Sequence, residues 1–395
     1  MKKVFDVIII GAGIIGLSTA YYLTKKGKKV LMLEKKEIGS GSSGACDDMI
    51  LLQSKKPGIL LQMALESFEM YKCLSEELNT DLEFQTRGGM ILIENQEQLK
   101  IMEDFVRKQR SYGLDVELID KRDVKKKQPL VNDRVIASTY SPIDSQVNPL
   151  RVMKGFYMKS IERGMEIDKP SSVTALKKLS NGYWEVVTDN NKCYHAEVVI
   201  NAAGAWAAEV GKFAGVEIPI KPKKGQIAVT EQIPCVGETN IWDADYIVTK
   251  LDPVLAEKRD RILAELGIGL SFTQTLDGNY LIGGTREFVG FDTKTTYQGI
   301  SNILSQVLKF FPVLRNVHII RTFAGLRPAS IDGKPFLGEV KDKEGFFIAA
   351  GHEGDGIALA PITGKIMAQM ICGETLSLPV DELSPDRLKT HCKPS

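Results

Sequence analysis

Residues 4–34 read VFDVIIIGAGIIGLSTAYYLTKKGKKVLMLE, in which two short apolar runs flank a glycine-rich turn and a longer periodic segment. The first run, Val4–Ile10, is rich in β-branched residues and predicts a buried parallel strand. Residues 14–26 have helical periodicity, and the second run, Val30–Leu33, predicts another strand. Strand, helix and strand together occupy about 30 residues, which is the size of a βαβ unit. We therefore expect an α/β fold.

The turn before the helix, Gly11-Ala12-Gly13-Ile14-Ile15-Gly16, matches the pattern G-x-G-x-x-G. Glycines in this pattern allow a tight turn and let backbone N–H groups approach a pyrophosphate at the helix N-terminus. Glu34 ends the next strand, where a carboxylate can bind ribose hydroxyls. An ordinary glycine-rich turn would share the pattern, but the strand–helix context favours a dinucleotide site. We expect contacts from Gly11, Gly13, Ile14, Ile15, Gly16, Glu34 and the neighbouring Lys35.

Length and charge limit the kinds of protein that this chain can be. Its 395 residues suggest two to three domains. The 51 Lys and Arg residues nearly balance the 50 Asp and Glu residues, which argues against a coat for nucleic acid or anionic membranes. No apolar run reaches about 18 residues, so we expect no integral membrane association. The apolar run near the N-terminus is interrupted by Asp6 and glycines, and we interpret it as a strand and not as an export signal.

The six cysteines are scattered and form no C-x-x-C pair. This spacing does not suggest a zinc site or an iron–sulfur cluster, and we expect no metal. Because the chain is long and the spacing is irregular, reduced thiols in the cytoplasm are the preferred interpretation.

Nucleotide-type signals occur near the start of the chain, near residue 200 and near residue 350, with more β-rich segments between them. This order predicts a Rossmann-type cofactor-binding domain built from discontinuous segments, with an inserted α+β substrate domain that contains a large mixed sheet. We assign residues 1–85, 143–222 and 320–395 to the cofactor-binding domain. Residues 86–142 and 223–319 form the substrate-binding domain in this prediction.

Further candidate cofactor contacts lie in the segments outside the βαβ unit. A Gly/Ser-rich loop follows Glu34 and could close over a pyrophosphate, although it could also be a flexible surface loop. A turn before the last predicted helix, residues 351–356, aims a second helix N-terminus at a ligand, which suits a cofactor as large as FAD. His352 could contact the flavin or cap the turn. The candidates are Ser42, Ser43, Asp48, Val173, Gly204, His352, Glu353, Gly354, Asp355, Gly356 and Ile357.

With these motifs, the sequence resembles FAD-dependent oxidoreductases of the D-amino-acid oxidase and glycine oxidase type. Within that family it is most similar to flavoprotein β-type subunits of heteromeric amino-acid dehydrogenases, which include hydrogen cyanide synthase, opine oxidase, sarcosine oxidase and proline or hydroxyproline dehydrogenase. The stretches LQSKKPG (52–58) and IGGTRE (282–287) support this closer placement. The stretches that carry the family resemblance are residues 11–34, 201–206, 324–328, 332–335 and 351–364.

The resemblance implies three substrate-binding candidates. Arg327 matches the Leu-Arg-Pro arginine that binds the substrate carboxylate in glycine-oxidase-like enzymes, and a guanidinium offers such a group a planar two-pronged donor. It could instead be a structural arginine paired with an aspartate or with helix carbonyls. Arg286 stands where glycine oxidase has Met near the flavin; it could receive a second negative charge or face solvent. Phe272 lies near the position of a pocket Tyr, and this departure argues against glycine as the substrate.

The resemblance also implies a reaction. We expect a non-covalently bound FAD, oxidation of a C–H bond next to an amine nitrogen, and hydride transfer to flavin N5, with no side chain assigned as the base. The subunit resemblance favours an amino-acid dehydrogenase that passes electrons to companion subunits; the alternative is a self-sufficient oxidase that makes peroxide. A flavoprotein that keeps FAD only for structure, or an enzyme that modifies tRNA or oxidises hydroxyacids, is a rival, and the near-neutral charge weighs against nucleic acid as a partner.

Overall fold

The computed structural model describes residues 3–252 and 259–390, and two eight-stranded sheets organise them. The strands are β1 (Val4–Ile10), β2 (Val30–Leu33), β3 (Met49–Ile50), β4 (Gly89–Ile93), β5 (Glu117–Asp120), β6 (Ala137–Ser141), β7 (Ser145–Gln146), β8 (Glu166–Asp168), β9 (Val173–Lys178), β10 (Trp184–Thr188), β11 (Cys193–Asn201), β12 (Ile220–Gln232), β13 (Asn240–Asp243), β14 (Ser271–Gln274), β15 (Asn279–Gly283), β16 (Ile319–Ser330), β17 (Phe336–Glu339) and β18 (Phe346–Ala350). The helices are α1 (Ile14–Lys25), α2 (Ile59–Leu78), α3 (Gln96–Ser111), α4 (Lys121–Lys127), α5 (Pro149–Glu162), α6 (Ala207–Phe213), α7 (Ala244–Leu251), α8 (Arg261–Glu265), α9 (Tyr297–Phe310) and α10 (Gly356–Cys372).

The first sheet has the strand order β17-β18-β11-β1-β2-β8, and β10 and β9 extend from β11. Its centre is parallel, because β1 pairs with β2 and β11 in parallel and β11 pairs with β18 in the same way. All seven β1 residues except Val4 and Asp6 are buried, as expected for a strand covered on both faces. The predicted α/β class with a Rossmann-type βαβ start is therefore confirmed.

The first and last long helices pack closely on one face of this sheet. The Ser18 hydroxyl of α1 donates a hydrogen bond to the Ala360 carbonyl of α10 at 2.8 Å. A Cβ on Gly364 would lie 2.3 Å from Ser18 Oγ, so only glycine allows this approach. The Tyr71 hydroxyl of α2 donates to the Ile357 carbonyl at 2.7 Å. These bonds join segments that are far apart in the sequence into one layer.

The second sheet has the order β16-β12-β15-β14-β13-β4-β6-β5. It is mixed, because β13 pairs in parallel with β4 on one side and antiparallel with β14 on the other. Strands β12 and β16 pair along almost their whole length, from Ile220 opposite Ser330 to Thr230 opposite Ile319. Residues 320–330 therefore pair in the second sheet, although we assigned them to the FAD-binding segments. Through the long β12–β16 ladder, the second sheet reaches the edge of the first sheet. The domain boundaries stay a prediction.

Three surface features relate to the predictions on partners and location. Within the described residues, no helix is long and apolar enough to cross a membrane. The basic run at 121–127 forms α4, which begins at the capping side chain of Asp120. Within the described part of the chain, Cys46, Cys73, Cys193, Cys235 and Cys372 form no disulfide bond.

Candidate active site

A deep cleft lies where the carboxyl ends of β1, β2, β11 and β18 face strands β12 and β16 of the second sheet. Parallel α/β sheets bind ligands at this edge. Most of the predicted site residues meet there, although they come from segments spread over more than 340 positions. The predicted residues on the cleft wall are Gly11, Gly13, Ile14, Ile15, Glu34, Lys35, Ser42, Ser43, Val173, Gly204, Arg327, His352, Glu353, Gly354, Gly356 and Ile357.

The three motif glycines have different roles. Gly11 has φ +109°, and a Cβ there would lie 2.6 Å from the Ala202 carbonyl oxygen. A Cβ on Gly16 would lie 2.1 Å from the Gly11 oxygen, so Gly16 lies behind the cleft wall and lets α1 pack on β1. Gly13 is different, because a Cβ there would meet only Ser43 Oγ, at 3.3 Å. The space in front of Gly13 is therefore left for a ligand.

Glu34 is held in a fixed orientation at the end of β2. Its two carboxylate oxygens accept backbone N–H bonds from Ala12 and Lys36, both at 2.8 Å. The side chain is buried at the cleft wall, and its remaining lone pairs can accept hydrogen bonds from ribose hydroxyls. The ammonium group of Lys35 lies 3.7 Å from the ring centroid of Trp206, another wall residue, and burial lowers the pKa of Lys35.

Two helix N-termini point at the cleft, and at α1 the Ile14 N–H donates to Ser43 Oγ at 3.1 Å. Neither α1 nor α10 has a side-chain cap or an acidic residue in its first turn among the described residues. Their N–H groups and helix dipoles therefore favour a negatively charged ligand. The residue before α10 is Asp355, whose carboxylate does not cap the helix and pairs instead with the buried Lys55 at 2.7 Å.

Arg327 projects from β16 into the cleft. Its Nη1 donates to the Thr285 carbonyl oxygen at 2.9 Å. A Cβ on Gly225 would lie 2.0 Å from that Nη1, and a Cβ on Gly354 would lie 3.7 Å from Nε. The absence of a side chain at Gly225 on the paired strand therefore makes room for the guanidinium, which is anchored at one edge.

Asp47 is a cleft residue that the sequence analysis missed. Burial raises the pKa of its carboxyl group, while the charges of Arg327 and Arg286 and hydrogen bonds from the Met49 N–H and the Ser271 hydroxyl lower it. The sequence signal was present, because two aspartates follow the Gly/Ser-rich loop, but we chose Asp48. Side chains alternate as the chain enters β3, and Asp48 is the one that turns away from the cleft.

Some predicted residues lie outside the wall that the described residues form around the cleft. They are Gly16, Asp48, Phe272, Arg286 and Asp355. Phe272 packs in the core of the second sheet, with its ring centroid 4.3 Å from Tyr280 and 4.9 Å from Phe311. Alternation along β14 explains this, since the neighbouring Ser271 is the residue that bonds to Asp47. Arg286 Nη1 donates to the carbonyl oxygens of Gly267 and Gly284, at 3.2 and 3.4 Å.

Two wall residues have protonation states set by burial. Burial lowers the pKa of His352 to about 3, so its imidazole is neutral, and its Nε2 lies 3.1 Å from Thr363 Oγ. Burial raises the pKa of the Cys46 thiol, which donates to the Ser43 carbonyl at 3.3 Å. A thiol that stays protonated is a weak nucleophile, which agrees with non-covalent binding of the cofactor.

His195 on β11 lies beside two other side chains of metal-binding type, outside the cleft wall. The cross-strand neighbour Glu185 and the residue Cys193 bring their ligand atoms and those of His195 within 4.8 Å of one another. The pairing of β10 with β11 creates this proximity, which spacing along one strand cannot indicate. The His195 Nε2 lies 3.3 Å from the carboxylate of Glu185.

The cleft has the features of an oxidoreductase that binds a dinucleotide: the turn at Gly11–Gly16, the buried carboxylate of Glu34 and a second helix N-terminus. The space kept open at Gly13 beside the N-terminus of α1 fits the pyrophosphate of FAD, and the N-terminus of α10 offers N–H groups to a second part of so large a cofactor. The family model DAO, FAD dependent oxidoreductase, matches residues 6–370, and the chain belongs to this family. The predicted family and the FAD cofactor are confirmed.

Individual relatives cover almost the whole chain. Hydrogen cyanide synthase subunit HcnC of Pseudomonas protegens is 30% identical over 99% of this chain and 98% of its own. Glycine oxidase of Geobacillus kaustophilus is 27% identical, with 99% and 98% covered. The crystal structure of L-proline dehydrogenase from P. horikoshii superposes with a TM-score of 0.87 at 27% identity, covering 99% of both chains.

Proposed function

We propose that this FAD-dependent oxidoreductase oxidises an amino acid or an N-substituted amino acid at the C–H bond next to its nitrogen. The observation that carries the proposal is Arg327, a cation anchored in the FAD cleft by the Thr285 carbonyl. A planar guanidinium in this position suits a substrate carboxylate. The relatives named as glycine oxidase and L-proline dehydrogenase support the same class of substrate.

The chain's own residues supply binding and orientation. Arg327 would hold the carboxylate, and this fixes the α-carbon relative to the cofactor, so that much of the catalysis is positioning. FAD supplies the hydride acceptor, at its N5 atom. The N–H groups at the start of α10 and the neutral His352 would stabilise negative charge without adding a competing cation. The resulting imine hydrolyses in water.

We also propose that the chain acts as the catalytic subunit of an amino-acid dehydrogenase and passes its electrons to a companion subunit. The relative HcnC is named as a subunit of hydrogen cyanide synthase, which supports this arrangement. The basic helix α4, with Lys125, Lys126 and Lys127 in its last turn, is a candidate rim for that contact. A self-sufficient oxidase that makes peroxide is the second candidate, supported by the glycine oxidases among the relatives. A cytoplasmic location stays a prediction from the cysteine pattern.

The test is an anaerobic reduction screen. The purified holoenzyme is mixed with glycine, sarcosine, D- and L-proline, hydroxyproline and opines, and the flavin absorbance is followed. We expect at least one of these compounds to bleach the flavin within seconds. A flavin that dithionite reduces but that none of these substrates reduces would contradict the proposed reaction.

A further inference from the structure

The loop that carries Asp47 is pressed against the strand that carries Arg327. A Cβ on Gly325 would lie 2.3 Å from the Ala45 carbonyl oxygen, so the loop passes directly over β16 at that glycine. The Ser42 hydroxyl donates to the Leu326 carbonyl oxygen and fastens the loop at the next residue. Arg327 follows immediately, and Asp47 and Arg327 both line the cleft. The cleft therefore presents a carboxylate close to the guanidinium that the proposed function assigns to the substrate.

Groups from β3 and β14 also act on the Asp47 carboxyl group. Hydrogen bonding from the Met49 N–H and the Ser271 hydroxyl lowers its pKa. Ser271 is buried on β14, and a Cβ on Gly283 would lie 2.5 Å from its Oγ, so the glycine leaves room for that hydroxyl. An α-amino acid carries its carboxylate and its ammonium group on one carbon. A fixed carboxylate beside Arg327 matches that pair of charges.

We propose that Asp47 binds the substrate ammonium group and accepts one proton from it before the α-carbon is oxidised. This inference rests on the proposed function. The step is balanced: an N–H bond of the ammonium breaks, an O–H bond forms on an Asp47 carboxylate oxygen, and the amine keeps its lone pair. The C–H hydrogen then leaves with two electrons for FAD while the C=N bond forms. An amine that is already neutral supplies its lone pair to this bond, whereas an ammonium group cannot.

The charged and titratable groups around Asp47 suit a proton acceptor. Arg327 on β16 and Arg286 after β15 favour its ionised form. The neighbouring Asp48 does not favour the ionised form of Asp47. Burial and the charge of Asp47 raise the pKa of Asp48 to about 7. The neighbouring Cys46 thiol stays protonated. Burial opposes the two arginines and raises the pKa of Asp47, so that the carboxylate is a better proton acceptor than one in water.

The test is the pH dependence of flavin reduction in Asp47→Asn. The substrate is whichever of sarcosine, glycine, D-proline and L-proline reduces the wild-type flavin fastest. We expect kcat/KM of the variant to fall about 100-fold at pH 7, in line with the loss of a general base. The deficit should shrink to about threefold near pH 10, because much of the substrate amine is then neutral without help. An equal deficit at all pH values, or none, would overturn the role of Asp47.

Three controls separate this role from a structural one. Acetate and tetrahydrofuran-2-carboxylate carry the carboxylate without the ammonium, and they should perturb the flavin spectrum of Asp47→Asn with a Kd within about threefold of wild type; a much weaker Kd would mean that Asp47 only positions Arg327. Glu265→Gln, which removes an exposed carboxylate on α8, should leave the pH profile unchanged. If Asp47→Asn loses FAD, the test uses the variant Ser271→Ala instead. This variant should move the acidic limb of the pH profile of kcat/KM to higher pH, and an unmoved limb refutes the proposal.

Failure of the inference and failure of the proposed function give different results. A wild-type flavin that no amino acid reduces contradicts the proposed function itself. A wild-type flavin that is reduced, together with a variant whose pH profile is unchanged, contradicts only the role of Asp47.

Discussion

Replacing Arg327 with leucine should remove the carboxylate anchor while leaving the FAD-binding elements intact. The guanidinium is held by a hydrogen bond of 2.9 Å to the Thr285 carbonyl and fills space above Gly225. Leucine lacks both the charge and the donors, so the substrate carboxylate would lose its two-pronged partner. The FAD-side groups at Gly11–Gly16 and Glu34 lie on other strands and should be unaffected.

The magnitude follows from the kind of bond that is lost. Truncating one partner of a hydrogen-bonded charge pair costs about 2–5 kcal/mol. At 1.36 kcal/mol per tenfold change, kcat/KM for the amino acid should fall about 30-fold to about 5,000-fold. The upper part of this range applies if Asp47 also becomes protonated, because the charge of Arg327 is the strongest of the influences that lower the pKa of Asp47. Arg327→Lys keeps the positive charge but not the planar two-pronged donor, so its kcat/KM should lie between the values of wild type and Arg327→Leu.

The assay compares each amino acid with the amine that lacks only its carboxylate, for example proline with pyrrolidine. Anaerobic stopped-flow reduction gives kcat/KM for both compounds in wild type, Arg327→Leu and Arg327→Lys. The amine should lose far less than the amino acid, and FAD content should stay near one per chain. Equal losses for both compounds would show that Arg327 is structural and would refute the assignment of the carboxylate site.

Three further predictions concern the cofactor and the electron acceptor. Gly11→Ala should lower the free energy of unfolding by about 1–3 kcal/mol, because of the positive φ and the contact with the Ala202 carbonyl. Gly13→Ala should leave thermal stability of the apoprotein nearly unchanged but weaken FAD binding in fluorescence titrations; the opposite ranking would contradict the roles given to the two glycines. Acid precipitation should release yellow FAD into the supernatant, and colour retained in the pellet would mean covalent attachment. With saturating substrate, the isolated chain should reduce an artificial acceptor dye much faster than oxygen, whereas rapid stoichiometric peroxide would make it a self-sufficient oxidase.

The parts of the site that were predictable from sequence are those whose residues are neighbours in the chain. Gly11, Gly13 and Gly16 belong to one turn, and Glu34 follows at the end of the next strand. The βαβ unit alone therefore sets the relative positions of these residues. The same holds for the turn at residues 351–356, which is followed directly by α10. In both places, spacing along the sequence determines spacing in the structure, and the motif indicates the ligand.

The parts that were not predictable depend on contacts between distant strands. Asp47 becomes a site residue because β14, β15 and β16 bring Ser271, Arg286 and Arg327 towards it, and its sequence neighbours do not indicate this. Phe272 was chosen by alignment with a pocket position, yet alternation along β14 turns its ring into the core. A shift of one residue along a strand moves a side chain from the face that lines the cleft to the face that packs in the core.

The hydrogen bond between the Ser18 hydroxyl and the Ala360 carbonyl also bears on how this protein is made. Because α1 and α10 are packed together, a ribosome must synthesise nearly the whole cofactor domain before the second helix N-terminus reaches the cleft. The βαβ unit emerges first, but the N-terminus of α10 is still missing from the cleft at that time. FAD should therefore bind late, after the early and the late parts of the chain have packed together.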